Sequence, residues 1–365
     1  MTEEYYVEPC KFTCAKDFLD ALEEISERCR GETWLYRGQN VDKPLLPSAM
    51  RPCKIIDDYA GNNPDSFLRT IERDGDDLPF IQKAFHESTS ALNDDRKFVK
   101  LIRNLRKDTE HLRDWNQTES RLEEFPFNLF QAYYLWSTGH SLAERKLLYN
   151  FESLADQVGL AIPPDRFATN WNKPLLFKDR VSESDRLGAD YTLLRTEDCY
   201  GVAYAFARHH RIPARLLDVT YRPLVAVFFA AHCEDKCDDG DNRRIVVWAI
   251  NQNRLSGTGL KVIKHRRVDI GFLRAQEGAF LLDELTNEKF WFAGEWIPFE
   301  YYLKGMVAKK EAYKLSLPFN ERKELLKLLR EKGVNKAVLM PSYDNVANEV
   351  QRDETVLLRS EDEYE

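Results

Sequence analysis

The sequence predicts a mixed α+β fold, and three observations lead to that prediction. Apolar runs of strand length, such as Arg244–Ile250 and Tyr313–Leu317, stand beside helical patterns such as Glu321–Lys332. One long apolar stretch, Gly201–Ala231, carries two helical arms around a polar turn. By contrast, Asp57–Gln157 is charged and lacks strand alternation, which predicts a large helical insertion or lobe.

Composition and charge exclude several classes of protein. Of the 365 residues, 43% are hydrophobic and 31% charged, which is typical of a globular protein and not of a disordered one. The net charge of -8 argues against non-specific nucleic-acid binding by the whole surface, although it leaves room for a local basic patch. No run of about eighteen apolar residues and no apolar signal core are present, so we expect a cytoplasmic protein without a membrane partner.

The cysteines indicate neither disulfides nor a complete metal site. Seven cysteines are scattered over the chain, which suits reduced thiols. Cys233 and Cys237 follow His232 closely, but a zinc site would need a fourth ligand. The alternative is two thiols at the end of a buried helix. No Gly-rich phosphate loop occurs, which disfavours an ATP-binding or Rossmann enzyme, and no Gly-x-Ser-x-Gly nucleophile elbow occurs either.

The first segment places polar residues at the end of a predicted strand. Thr13–Arg30 has the pattern of an amphipathic helix, and Thr33–Arg37 that of a short strand rich in aromatic residues. The strand runs directly into Gly38 and Gln39. A polar triplet at the end of a buried strand is a common place for ligand contacts, and its alternative interpretation is a turn with a surface arginine. Arg51, further along, is a second candidate for an anion contact.

The predicted insertion separates two parts of the core. We divide the chain into an N-terminal helix and first core strand (1–56), a mainly helical insertion (57–195), the remainder of the core (196–350) and an acidic tail (351–365). An aromatic cluster spans 127–136. Core packing is its default interpretation; a base-stacking platform would need interleaved basic residues, which are scarce there.

The central stretch concentrates candidate site residues. Its first helix should end before Pro213, and an apolar second helix should be buried. Asp218 then lies at the edge of a core. One interpretation is a structural Arg215–Asp218 pair with Thr220 as a helix cap. The other is the floor of a polar pocket, with His209 and His210 beside it.

Further strands and helices are predicted in the last third of the chain. Gln276, Glu277 and Gly278 precede a strand, and the first two would either point into a cleft or lie on the strand's solvent face. The remaining predicted strands are Leu260–Lys264, Ala279–Leu282, Trp291–Tyr302 and Lys336–Met340, and a last helix begins at Asn345.

Together these segments resemble the FRG domain family. The matching residues are TWLYRGQ at Thr33–Gln39, LLPSAMR at Leu45–Arg51, HHRIPARLLDVT at His209–Thr220 and RAQEGAF at Arg274–Phe280. The chain departs from the family pattern at three positions. Arg208 stands where the family has glutamine, Arg211 where it has glycine, and Val219 where it has tryptophan.

The resemblance implies a distant ADP-ribosyltransferase-like fold, with two small sheets and NAD, as substrate, in the cleft between them. Arg37 would then contact the dinucleotide, with Gly38 and Gln39 beside it, and Asp218 and Thr220 would hold the nicotinamide side.

Four residues are the catalytic candidates that the resemblance implies. Glu277 or Gln276 would contact the ribose, and His209 or His210 would bind the ribose or act as base. We also expect Arg37, His210, Thr220 and Gln276 to line one pocket.

The implied role is a bacterial toxin or phage-defence effector that modifies a protein or nucleic acid, with an antitoxin or regulatory partner. Two other functions stay open: a non-catalytic module that senses a nucleotide or partner, and a nuclease that uses the two histidines.

Overall fold

The computed structural model describes residues 6–28, 31–51, 56, 137, 140, 141, 143, 144, 147, 148, 150–161, 202–232, 243–265, 270–283, 286–293 and 295–352. Most of the predicted insertion, including the aromatic cluster at 127–136, lies outside these residues. Cys233, Cys237 and the tail beyond Arg352 lie outside them as well.

The described strands form one seven-stranded mixed sheet in the order β1-β7-β4-β2-β3-β6-β5. The strands are β1 (Cys10–Lys11), β2 (Trp34–Gln39), β3 (Leu217–Thr220), β4 (Arg244–Asn251), β5 (Leu260–Ile263), β6 (Gly278–Asp283) and β7 (Ala312–Pro318). β1 pairs with β7 in parallel, and the other neighbours are antiparallel. The predicted mixture of strands and helices is confirmed, but where two sheets were expected the described strands join into one.

Helices cover both faces of the sheet. They are α1 (Ala15–Arg28), α2 (Val202–His209), α3 (Pro223–Ala231), α4 (Gly271–Gln276), α5 (Thr286–Ala293), α6 (Glu300–Ala308), α7 (Arg322–Glu331), α8 (Lys336–Leu339) and α9 (Tyr343–Arg352). Residues 150–157 of the predicted insertion are also helical. None of the described helices is long and apolar enough to span a bilayer.

Alternation along the strands builds a core on each face. Trp34 and Tyr36 of β2 point into a cluster with α1, α3 and α7, whereas Leu35 points to the opposite face and packs with Trp248 of β4 and Phe299 before α6. A third core cluster lies under α2 and α4. The sheet is therefore buried on both faces, which explains the nearly continuous apolar sequence of β4.

Two predicted strands are helices instead. Lys336–Met340 forms α8, and the Asn335 side chain accepts a hydrogen bond from Val338 N at 3.0 Å, which caps that helix. Trp291–Tyr302 holds the end of α5 and the start of α6. Both runs are apolar and short, and a run of this kind fits a buried helix as well as a strand.

The sheet is weakly joined at its centre. β2 pairs with β4 through six residue pairs and β3 with β6 through four, but β2 pairs with β3 only at Tyr36 and Thr220. Beyond that pair the two strands are not bridged. We call the open end between Arg37–Gln39 and Leu217–Asp218 the fork.

Candidate functional site

Two arginines share one carboxylate at the fork. Arg37 comes from β2 and donates from Nη1 to the Asp218 carbonyl at 3.0 Å and to its Oδ2 at 3.3 Å. Arg208 comes from the last turn of α2 and donates from Nη2 to the same Oδ2 at 2.8 Å. The side chains of Arg37, Arg208 and Asp218 are 18%, 16% and 38% exposed, so the group is partly open to solvent.

The local charges perturb one another. Burial works against ionisation of Asp218, but the charges of Arg208 and Arg37 outweigh it, so the pKa of this carboxyl lies below its ordinary value. Burial, with the neighbouring charge of Arg208, lowers the pKa of Arg37, although Asp218 acts in the opposite direction. Asp218 therefore stays ionised, and the two arginines compete for it.

The segment after β2 adds two more cations. Burial, followed by the charges of Arg37 and Arg208, lowers the pKa of Arg51 to about 10. Burial and the charges of Arg51 and Arg37 lower the pKa of Lys43. Arg51 donates two hydrogen bonds to the Leu46 carbonyl, at 2.9 and 2.7 Å. Its described hydrogen bonds therefore reach no carboxylate. The fork thus carries more positive than negative charge.

Several buried polar atoms at the fork have no hydrogen-bond partner among the described residues. They are Arg37 Nε, Arg208 Nε and Gln39 Oε1. Gln39 is buried, and its Nε2 donates to the Lys43 carbonyl at 3.0 Å. Buried donors and acceptors are normally satisfied, so this group fits a ligand with anionic oxygens and a hydroxyl.

Gly38 has a packing role that the sequence did not reveal. A Cβ added there would lie 2.0 Å from the Ala226 carbonyl oxygen in α3, which is far inside van der Waals contact. The backbone of β2 can approach α3 so closely only without a side chain. Gly38 therefore faces α3, and Arg37 and Gln39 point to the other face of the strand.

Thr220, Gln276 and Glu277 are joined to one another and not to the fork cations. Thr220 Oγ1 donates to the Gln276 carbonyl at 2.5 Å and accepts from Arg222 N at 3.1 Å. Gln276 Nε2 donates to the Leu339 carbonyl at 3.1 Å. Glu277 has φ 46° and caps α4, and its half-exposed carboxylate lies 3.9 Å from Arg222 Nε.

The two histidines belong to an aromatic cluster. The rings of His209 and Phe272 are stacked, with 3.5 Å between their centroids and 9° between their planes. His210 is exposed, and its ring lies 4.7 Å from that of Phe206. Burial, followed by the charge of His210, lowers the pKa of His209 to about 4. His209 is consequently neutral near pH 7.

The structure groups the predicted site residues into three sets. Arg37, Gln39 and Asp218 lie at the fork, Thr220 with Gln276 and Glu277 at the junction of β3 and β6, and the histidines in the aromatic cluster. The single pocket expected for Arg37, His210, Thr220 and Gln276 stays a prediction, because no described contact joins the three sets directly.

Of the two interpretations of Asp218, the structural pair with Arg215 is wrong. Arg215 donates from Nε to Glu144 at 2.8 Å, and its backbone N–H donates to the other oxygen of Glu144 at 2.7 Å. Residues three apart in an extended chain point to opposite sides, so Arg215 and Asp218 face different neighbours. Arg208, noticed in the sequence only as a departure from the family pattern, is the residue that pairs with Asp218.

No metal centre emerges from the part of the chain that the structure describes. No three His, Cys, Asp or Glu side chains lie close enough there to hold an ion. The chemistry of the fork is that of an anion site, with guanidinium donors and one carboxylate.

Comparison with known proteins supports the family resemblance over one part of the chain. The model of the FRG domain family matches residues 168–239, which confirms the resemblance and covers α2, β3 and α3 with the fork residues Arg208 and Asp218. No curated protein and no solved structure matches the chain.

Proposed function

We propose that the protein is an NAD-dependent ADP-ribosyltransferase that holds the pyrophosphate of its substrate at the fork. One observation carries the proposal: Arg37 and Arg208 share a single carboxylate and each leaves a buried Nε without an acceptor among the described residues. A pyrophosphate offers several anionic oxygens to such donors, and charge-assisted hydrogen bonds are the strong ones.

The proposed reaction replaces one bond at the ribose. The bond from C1′ of the ribose to the nicotinamide nitrogen breaks, and its electron pair leaves with nicotinamide. A nucleophile of the target protein or nucleic acid bonds to C1′ and gives up a proton. A carboxylate beside the cationic ribose would stabilise it, which is the role we assign to Glu277, with Gln276 as a hydrogen-bonding neighbour. Glu277 would have to leave Arg222 for this role, and their 3.9 Å separation makes that pair weak.

A second candidate is a binding module that senses a nucleotide without turning it over. The orientation of Gln276 towards Leu339 and the pairing of Glu277 with Arg222 favour it, because neither side chain is committed to the fork. The two candidates share the anion site and differ only in the fate of the nicotinamide.

Binding measurements test the shared site. Isothermal titration calorimetry should detect binding of NAD and of inorganic pyrophosphate to the unaltered protein. Arg37→Gln and Arg208→Gln should each lower the affinity for both ligands by about tenfold to a hundredfold, the scale of one charge-assisted hydrogen bond. Arg330→Gln is the matched control, because Arg330 is a surface arginine paired with Glu349 at 2.9 Å. Absence of NAD binding by the unaltered, folded protein would refute the proposal.

Product analysis then separates the two candidates. Nicotinamide release and transfer of labelled ADP-ribose into a cell extract are expected from the unaltered protein. Glu277→Gln removes a charge but little volume, so it should cut transfer about a hundredfold while NAD still binds. NAD binding without any nicotinamide release would favour the sensor.

The effector role in a toxin or phage-defence system is likewise our proposal and rests on the family resemblance. Expression of the unaltered chain in bacteria should arrest growth, and Arg37→Gln should relieve the arrest. Growth that is equally unaffected by both proteins, at equal expression, would count against the toxin role.

A further inference from the structure

A partly buried group of rings lies at the same end of α2 as the fork residue Arg208. It consists of Phe151 from the helical residues 150–157, Phe206, His209 and His210 at the end of α2, and Phe272 of α4. Centroid distances within it run from 3.5 Å between His209 and Phe272 to 6.3 Å between Phe151 and Phe206. We call these five residues the ring cluster.

The ring cluster packs against the third core cluster but is itself only partly buried. Phe151, Phe206, His209 and Phe272 are each only partly buried, and His210 is exposed, although aromatic rings stabilise a fold most when they are fully buried. The cluster joins three separate segments of the chain, so its surface is held by the fold and not by one mobile loop.

The ring cluster is uncharged at its centre. Burial keeps the pKa of His209 at about 4, so at neutral pH the stacked imidazole and the Phe272 ring form a neutral pair. A neutral pair of stacked rings suits an aromatic ligand surface better than it suits an anion or a catalytic acid.

The cluster and the fork share one helix end. His209 directly follows Arg208, whose guanidinium lies 2.8 Å from Asp218. The charges of Asp218 and Arg208 both act on the His209 imidazole, so that ring is within electrostatic range of the fork. An anion at the fork and an aromatic ring on the cluster could therefore belong to one small molecule.

We propose that the ring cluster binds the purine base of a nucleotide whose phosphates lie at the fork. This inference rests on the anion site proposed above. The complementarity is twofold: guanidinium groups face the phosphates, and ring faces meet the base. Base-on-aromatic stacking tolerates many geometries and contributes about as much as a good hydrogen bond.

The test compares a ligand that carries a base with one that does not. Isothermal titration calorimetry measures the affinity of the full chain for adenosine diphosphate and for inorganic pyrophosphate. Phe272→Leu keeps an apolar side chain of similar volume but has no ring face, so it should weaken adenosine diphosphate binding about tenfold or more and leave pyrophosphate binding unchanged. His209→Phe keeps the stack and should retain the affinity for adenosine diphosphate, whereas His209→Ala should lose it.

The control and the contrary outcomes separate this inference from the anion site. Tyr343→Ala removes a ring that is 96% exposed on α9 and should change neither affinity. Equal affinity of the unaltered protein for the two ligands would overturn the base site and leave the anion site standing. Binding of neither ligand would overturn both. Tight binding of a short single-stranded oligonucleotide together with weak adenosine diphosphate binding would overturn the mononucleotide site. It would indicate that this surface binds a nucleic-acid strand instead. Loss of affinity in His209→Phe would show that the imidazole acts through its nitrogens and would overturn stacking.

Discussion

Removal of one partner from the buried ion pair between Arg215 and Glu144 should be one of the most destabilising single changes in this fold. The two side chains are 2% and 0% exposed, and Glu144 lies in the part of the sequence where we predicted the insertion. Its two oxygens hold the Arg215 backbone N–H and Nε at 2.7 and 2.8 Å. Breaking a buried pair by removing one partner typically costs about 3–5 kcal/mol, because the other charge is left buried and uncompensated.

The variant Glu144→Gln measures the cost of breaking this pair, with little change of volume. It removes the charge and one of the two acceptors, while Arg215 Nη2 keeps its bond to Ser141 Oγ at 2.7 Å. We therefore expect the free energy of unfolding, measured by urea titration, to fall by about 3 kcal/mol, the lower end of the range for a broken buried pair. Glu23→Gln is the control, because Glu23 and Lys332 form a 2.6 Å pair with side chains that are 42% and 41% exposed. That pair should contribute less than about 1 kcal/mol. Equal losses in the two variants would refute the reasoning.

Two further variants test the pH dependence of stability and the packing at the fork. Burial raises the pKa of Glu300 to about 7 from an ordinary 4.5, so the folded protein binds this proton more tightly than the unfolded chain. The stability that Glu300 itself contributes should therefore fall by about 3 kcal/mol between about pH 4.5 and 7. The lowered pKa of His209 acts in the opposite direction, equally in the unaltered protein and in the variant. In Glu300→Gln that fall should be absent, and urea titrations that show parallel pH profiles for the two proteins would contradict it. Gly38→Ala forces a methyl group against the Ala226 carbonyl oxygen and should cost about 1–3 kcal/mol or more, whereas Gly305→Ala in α6, where a Cβ meets no atom within 4 Å, should gain about 0.5–1 kcal/mol. Similar unfolding midpoints for the two glycine variants would show that the approach of α3 to β2 is not tight.

The sequence predicted the helices and strands that have a long, regular pattern of apolar residues. It missed the elements whose conformation depends on contacts with residues far away in the chain. β4 was recognisable as a continuous apolar run of strand length, and α7 because its ten residues keep one helical period throughout. The helix α8 was not recognisable, because its four residues fit one turn of helix and a short apolar strand equally well. Pairing across the sheet was also out of reach, since the join of β2 to β3 depends on Tyr36 and Thr220, which are far apart in the chain.

The same limit applies to the site. Arg37 was found because it ends a predicted strand, and Asp218 because it is a polar residue at the edge of a predicted core. The partner of Arg215 could not be found, because Glu144 is 71 residues earlier and no local pattern marks it. The histidines were assigned to chemistry from their position, but the Phe272 ring that holds His209 comes from another helix, and only tertiary structure brings it there.

One reason to place a ligand at the fork is the contrast between its partly buried charges and the fully buried charges of the fold. Among the described residues, each cation that is fully buried pairs with one carboxylate. Such pairs are Arg215–Glu144, Lys289–Asp283 and Lys314–Asp42. At the fork one carboxylate serves two guanidinium groups, and each group keeps a buried Nε without a described acceptor. Partly desolvated guanidinium groups with unused donors cost stability, and the anion that we propose at the fork would offset that cost. A second carboxylate would have balanced the fork, but it would also have repelled the phosphate that we propose binds there.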